Sequence, residues 1–447
     1  MNVAPQNRLI WTVAIVAGLA ALLAAIIPAL TLAAVAATLA LAVVAIVDGI
    51  LAARSLNGIA IRTPALIRTV RDRISDVPFS IFNTGVEALG LRASLELPES
   101  FQTPTPIVEG GRALAHDQRY DLTAQFESAR RGEFRITRCD VAAESRLGFW
   151  STTKPAPVDL TIRVYPNLRE DDAAGEFLKR TDSGARLIRM TGKGREFEKL
   201  REYSQGDSYD EIDWKATARR GKPVVRVFQV ERTQEIYVAI DASRLSARPL
   251  DGPVFRSNTA LEHYVNAALV MGLAAEQQGD RFGLITFSDR LHKFVRARTG
   301  KQHFTVCRDA IYRLQPRIVE PDFGELFSFL QTRLTKRALV VILTALDDPL
   351  IGETFARQVS IASRRHLIMA AMVRPEGARP LFEEELPETD TADPVYSQLA
   401  GHMAWRKLFE LTKDLKRKGV RLHLLEPAKI SGQLTALYLD VKRRQQL

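Results

Sequence analysis

Cysteine is nearly missing from this chain, with only Cys139 and Cys307 among 447 residues. That scarcity excludes a disulfide framework and a cysteine-rich metal knuckle, and it fits two reduced thiols in a reducing compartment. Histidine is sparse too. The seven residues at 116, 263, 292, 303, 366, 402 and 423 form no H-E-x-x-H pair, so a zinc hydrolase has no visible ligands. No long Gly, Ser or Pro tract appears, which excludes extensive disorder. Nucleotide and hydrolase signatures are absent as well. Gly192-Lys193-Gly194 lacks the upstream Gly and the following Ser or Thr of a phosphate loop. There is neither a G-x-G-x-x-G after the first strand of the α/β part nor a G-x-S-x-G elbow.

Charge is absent from one long stretch. From Leu9 to Val47 the chain carries no Asp, Glu, Lys or Arg across 39 residues. As one helix that stretch would extend about 58 Å, nearly twice a bilayer core of about 30 Å. Two spans fit the length, and Pro28 falls near the midpoint where a turn is needed. Residues 9–27 and 29–51 therefore read as a transmembrane helical hairpin within 1–56, rich in small residues that let helices approach closely. A cleaved signal peptide would end after one shorter apolar region, whereas here a second span follows at once. Arg8 precedes the first span, and Arg54, Arg62, Arg68, Arg71 and Arg73 follow the second, while the turn is uncharged. Positive-inside bias puts both termini and the soluble parts in the cytoplasm of a multi-pass protein of the inner membrane.

The net charge of +10 has two addresses. Residues 1–73 hold six Arg against Asp48 and Asp72, and residues 401–447 hold eleven Lys and Arg against four acids. The middle of the chain is close to neutral. No basic face with interleaved aromatics emerges, so nucleic-acid binding is not indicated; attraction to anionic headgroups accounts for the first cluster.

Residues 57–74 read as a basic juxtamembrane connector. Beyond it the period becomes two: Leu91, Ala93, Leu95 and Leu97 alternate with Arg92, Ser94 and Glu96, and 120–126 and 158–164 alternate likewise. With turn signals at Pro104, Pro106 and Gly110-Gly111, this predicts a small antiparallel β-sandwich over 75–165. Residues 166–234 read as a mixed-charge connector with few strand signals. From 235 to 447, short apolar runs at 236–240, 282–287, 338–343, 367–373 and 422–425 alternate with helical patterns around 303–314, 324–334, 353–363 and 397–418. This predicts an α/β domain with a mainly parallel sheet covered on both faces.

In open parallel sheets ligands bind beyond the carboxyl ends of the strands. The first such end reads Asp241-Ala242-Ser243-Arg244-Leu245-Ser246. Asp241 and Ser243 resemble the start of the metal-ion-dependent adhesion site, D-x-S-x-S, of von Willebrand factor A domains. That resemblance implies a Mg²⁺ site, although Leu245 replaces the last Ser and Thr344 is followed by Ala345 rather than Asp. With so few oxygen ligands the expectation is no cofactor, and Asp241 then caps the following element.

The segment just upstream carries a second pattern: Arg201-Glu202-Tyr203, Gly206-Asp207, Ile212-Asp213-Trp214, Ala218-Arg219 and Phe228-Gln229-Val230-Glu231. It resembles the signature of domain of unknown function 58. Arg131-Gly132-Glu133-Phe134 and Arg146-Leu147-Gly148-Phe149 resemble that family's β-segment. The resemblance implies a two-helix anchor, a β-rich segment and a Rossmann-like von Willebrand factor A-type domain. It also implies association with a MoxR-type AAA+ ATPase. Two roles are open for Arg201, Tyr203, Gly206, Asp207, Asp213, Trp214, Arg219 and Glu231. They form either an ion-pair network that pins the connector, with Trp214 as its apolar anchor, or an exposed docking patch. The expected function is a non-enzymatic membrane adaptor in a chaperone-like or envelope- and stress-related role. The alternative is a metal-assisted hydrolase using Asp241 with Asp347 or Asp348.

Overall fold

The structure is a computed structural model that describes residues 2–85, 88–110, 113–168, 191–205, 209–229, 234–250, 259–381 and 393–444. The described residues divide into two compact units, one up to Pro166 and the other from Asn167 onward.

The first unit begins with helices Asn7–Ile26 and Thr31–Ser55, joined by a short turn at Pro28–Leu30. Both are long and apolar enough to cross a membrane. Their apolar side chains point outward, with Leu32 84%, Trp11 68% and Ile26 66% exposed. The second helix changes character at its end. Ala45, Asp48, Ala52 and Ser55 are buried, a spacing that puts them on one face.

That face packs on a β-rich body. A sheet runs through the antiparallel strands Ala88–Leu95, Gly132–Glu144 and Trp150–Tyr165. Asn2–Pro5 adds to Trp150–Thr153 antiparallel, and Leu66–Val70 adds to Thr161–Tyr165 in parallel. A second sheet pairs Ile59–Arg62, Ser75–Asn83 and Gln118–Ser128. Val77, Phe79, Ile81, Phe126, Ile136 and Leu160 form the core between them. The period-two stretches are strands as expected. The stretch 57–74 is different: it was expected as a connector and instead supplies two strands, Ile59–Arg62 and Leu66–Val70. Arg62 and Arg68, both exposed, masked the alternation, because each sits on the solvent side of an edge strand.

In the second unit the segment expected as a connector also holds structure. Strands Thr191–Glu202 and Val224–Gln229 pair antiparallel, with the helix Trp214–Arg220 between them. The main body is a six-stranded sheet. Its order is Leu291–Arg298, Arg281–Phe287, Glu235–Asp241, Leu339–Leu343, Leu367–Val373 and Arg421–Leu425. The pairings are parallel except for the first, which is antiparallel, so the sheet is mixed. The central strands are buried along nearly their whole length, as strands covered on both faces must be. Helices Ala260–Gln277, Lys301–Ile311 and Ile430–Arg443 cover one face, and Phe323–Arg333, Pro349–Ser363 and Asp393–Arg417 the other.

Two elements were not anticipated. Leu291–Arg298 is an amphipathic edge strand with Lys293, Arg296 and Arg298, and Ile430–Arg443 is a closing helix. That helix is tied down at its far end. Asp280, 1% exposed, accepts from Tyr438 Oη at 2.5 Å and Lys442 Nζ at 2.8 Å. Cys139 and Cys307 are both buried and free, and burial pushes each thiol up to about 12. At that value they are inert.

Candidate functional site

Two places carry the chemistry-bearing residues of the second unit, the strand ends and the signature segment. At the first, parallel pairing brings the ends of Glu235–Asp241 and Leu339–Leu343 side by side. Asp241 is fully buried. Its Oδ1 accepts from the Ser243 amide at 2.7 Å, and its Oδ2 accepts from Thr344 Oγ1 at 2.6 Å. Burial raises the Asp241 pKa, and the bonds from Thr344 and Ser243 partly offset that rise. Ser243, also fully buried, caps the turn Arg244–Ala247 by accepting from the Leu245 amide. Ser246 donates to the Ser243 carbonyl at 2.9 Å.

The surrounding loops are stitched to this turn through their backbones. Ala242 donates to the Phe287 carbonyl, Arg317 donates to the Ala242 carbonyl, and Arg244 donates to the Val319 carbonyl. Outside them lie ion pairs Arg244–Glu320 at 2.6 Å, Arg248–Asp347 at 3.2 Å and Arg317–Asp289 at 3.4 Å. These pairs are half-exposed and screened by solvent, so they fix loop positions more than they stabilise. Ser288, fully buried, lies 2.6 Å from Asp289 Oδ1 and 2.7 Å from His292 Nε2. Burial, then the Arg317 charge, pulls the His292 pKa down, so the ring is neutral in the physiological range.

This donor set does not fit a divalent cation. Magnesium is held through one or two free carboxylate oxygens and needs room to keep several of its own waters. Here one carboxylate stands among neutral hydroxyls, and both of its oxygens are engaged internally. Among the described residues no group of three or more His, Cys, Asp or Glu side chains gathers to hold a metal. The hydrolase reading meets a similar obstacle: Asp348 caps the helix Pro349–Ser363 through the Leu350 amide, and Asp347 pairs with Arg248. Thr344 is the residue that sequence reasoning undervalued. It was judged by the Ala that follows it, whereas its contribution is its own hydroxyl, delivered from 103 residues away. Beyond the same strand ends, Arg248, Arg374, Glu376, Arg379 and Glu426 line an open cleft of about 520 Å³.

The signature segment is built differently. Asp213 caps the helix Trp214–Arg220 by accepting from the Ala216 amide at 3.0 Å, and Gly221, at φ 68°, ends it. Thr217 Oγ1 accepts from the Val224 amide, and the Asp213 amide donates to the Val224 carbonyl, so the helix is clamped to the following strand. Ile212, Val224 and Val225 are buried. Trp214 is not the apolar anchor: it is 68% exposed, and Ile212 at 8% takes that part. The reason is position. Trp214 is the first residue of a capped turn, where its side chain faces outward, while Ile212 forms a bridge with Val225. Tyr209, 74% exposed, stacks on Tyr203 with centroids 5.9 Å apart. Lys215, Arg219, Arg220 and Lys222 are exposed nearby in sequence, and Lys222 reaches Glu202 at 3.6 Å. Arg201 Nη1 donates to the Glu202 carbonyl at 3.2 Å. Gly206, Asp207 and Glu231 lie outside the described residues.

Residues 199–393 match the model of the family described as Protein of unknown function DUF58, the family whose signature the Arg201–Glu231 pattern resembles. Two curated relatives, Uncharacterized protein Rv1480 of Mycobacterium tuberculosis (strain ATCC 25618 / H37Rv) and Uncharacterized protein Mb1516 of Mycobacterium bovis (strain ATCC BAA-935 / AF2122/97), are each 28% identical over 192 residues. The match covers 42% of this chain and 58% of each relative, less than two thirds of their length. Among solved structures, the conserved hypothetical protein BatB from Bacteroides thetaiotaomicron aligns at TM-score 0.30 and 13% identity, over 48% of this chain and 100% of its own. An aerotolerance-related membrane protein from Bacteroides fragilis NCTC 9343 aligns at TM-score 0.30 and 12% identity, over 47% and 99%.

Proposed function

We propose that this chain is a non-enzymatic adaptor, held in a bacterial inner membrane by its helical hairpin. Both termini and the two units lie in the cytoplasm. The six-stranded unit is a von Willebrand factor A-type recognition module, and the signature segment docks a MoxR-type AAA+ ATPase in a chaperone-like or envelope- and stress-related role.

One observation carries the docking assignment. Trp214 and Tyr209 are exposed beside Lys215, Arg219 and Arg220, on a segment whose fold is secured by other residues. Tryptophan, tyrosine and arginine are the residue types that dominate binding energy at protein interfaces. The cationic flank fits a partner with an acidic surface. The membrane part draws support from the outward-facing apolar side chains of both helices and the arginines flanking them. A common side for both ends is supported by Asn2–Pro5, which pairs with the same strand body that receives the end of the second helix. At the strand ends the internal saturation of Asp241 favours a recognition surface over a reactive one.

The test is recovery of the tagged full chain from solubilised native membranes with ATP, with ADP and without nucleotide. Nucleotide-dependent co-recovery of an AAA+ ATPase is expected. Recovery of no such ATPase under any of the three conditions would remove the partner.

A further inference from the structure

The loop between the strands Gly132–Glu144 and Trp150–Tyr165 is built in a way that an ordinary surface loop does not require. Ser145 Oγ accepts from the amides of both Phe149 and Trp150, at 2.9 and 3.0 Å. The Gly148 amide donates to the Ser145 carbonyl, with Gly148 at φ 70° making the turn. The Leu147 amide donates to Asp48 Oδ1 at 3.2 Å. Every amide from Leu147 to Trp150 is therefore answered within the protein. Leu147 nonetheless points its side chain outward, 48% exposed. Full internal pairing of the backbone is what a segment needs where water is scarce.

The hairpin fixes how high this loop stands. The Gln6 amide donates to the Phe149 carbonyl at 2.8 Å, so Phe149 is level with the start of the helix Asn7–Ile26. Those 20 residues span about 30 Å, the thickness of a bilayer core. Trp150 Nε1 donates to the Ala45 carbonyl at 2.7 Å, and the Trp150 ring packs on Gly49. Ala45 and Asp48 lie about 21 and 26 Å along the second helix from Thr31. Both helices thus put the loop within about the last 10 Å of the span, at the layer where tryptophan is enriched. Arg8 and Arg146 are exposed at the same level, and the Arg8 side chain lies against Gly148.

We propose that Arg146–Trp150 is a lipid-contacting loop that seats in the interfacial layer of the bilayer. Leu147 is directed toward the acyl chains, Trp150 lies at the headgroup boundary, and the flanking arginines face anionic headgroups. The loop also shields the one carboxylate of the hairpin, Asp48, through the Leu147 amide. The inference rests on the hairpin spanning the membrane and goes beyond it, because it makes the β-rich body a membrane-surface element rather than a spacer.

The test uses the full chain in vesicles of phosphatidylcholine and phosphatidylglycerol whose acyl chains are brominated either near the headgroup or near the terminal methyl. One variant keeps only Trp150 (Trp11→Phe, Trp214→Phe, Trp405→Phe), and a control keeps only Trp11. The headgroup-end bromines are expected to remove roughly half of the Trp150 emission and the methyl-end bromines much less, as an interfacial indole requires. Adding Leu147→Asp, which leaves Trp150 in place, is expected to reduce that quenching while Trp11 stays quenched. If Trp11 is quenched and Trp150 is not, the loop stands clear of the lipid and the proposal is wrong. If neither is quenched, the membrane reading falls with it.

Discussion

Replacing Asp241 by Ala is expected to destabilise the second unit by about 2–4 kcal/mol, whereas Asp241→Asn is expected to cost less than about 1 kcal/mol. The alanine strands two buried groups, the Ser243 amide and the Thr344 hydroxyl, each of which loses its bond to the Asp241 carboxylate. An unsatisfied buried donor costs about 1–3 kcal/mol, and relief of carboxylate burial returns part of that sum. Asparagine keeps an oxygen for the Ser243 amide and donates its amide to Thr344 Oγ1. The pH dependence separates the two further. Burial raises the folded-state pKa of Asp241, so wild type holds the stabilising proton at low pH and loses that contribution as pH rises through the raised value. The Asn variant has no such loss and gains on wild type over that window. Urea unfolding of the purified chain in detergent, at several pH values, reads both effects. Titration calorimetry with Mg²⁺ on wild type and Asp241→Ala completes the test. Saturable magnesium binding that disappears in the variant would contradict the hydrogen-bonded role given to this carboxylate.

Trp214→Ala is expected to lower capture of the ATPase at least about tenfold, because truncating a central interface tryptophan typically costs 2 kcal/mol or more. Stability should change little, since Trp214 is solvent-exposed and Ile212, Val224 and Val225 hold the segment. Arg219→Glu with Arg220→Glu is expected to weaken capture too, most at low salt, where charge steering is least screened. Unfolding curves run beside the capture assay separate lost docking from lost folding. Undiminished capture by the Trp214→Ala chain would move the docking surface away from this segment.

Much of the architecture was readable because it depends on period and length. A 39-residue uncharged run admits few structures, and strands buried on both faces show as apolar runs such as Leu339–Leu343. Where the reading failed, local composition opposed the pattern. Ile59–Arg62 and Leu66–Val70 carry arginines on edge strands, and the pairing of Thr191–Glu202 with Val224–Gln229 spans a helix that hides their adjacency. At the site, Asp241 and Ser243 were visible because they are neighbours in sequence. Thr344 was named only for the Ala that follows it, and its bond to Asp241 was not legible, since the parallel pairing of two strands is what brings them together. For Trp214 the sequence leaves two places open, apolar anchor or exposed patch, because hydrophobicity alone points a tryptophan inward; in the structure it is the first residue of the helix capped by Asp213 and lies exposed.

The adaptor reading is tested most directly by placing a photo-crosslinking residue at Tyr209 or Lys215 of the full chain in native membranes. Illumination with ATP present, followed by identification of the adducts, then reports what touches the segment. The predicted result is a nucleotide-dependent adduct with an AAA+ ATPase at both positions. Adducts with lipid alone, or none at either position with any nucleotide, would contradict it.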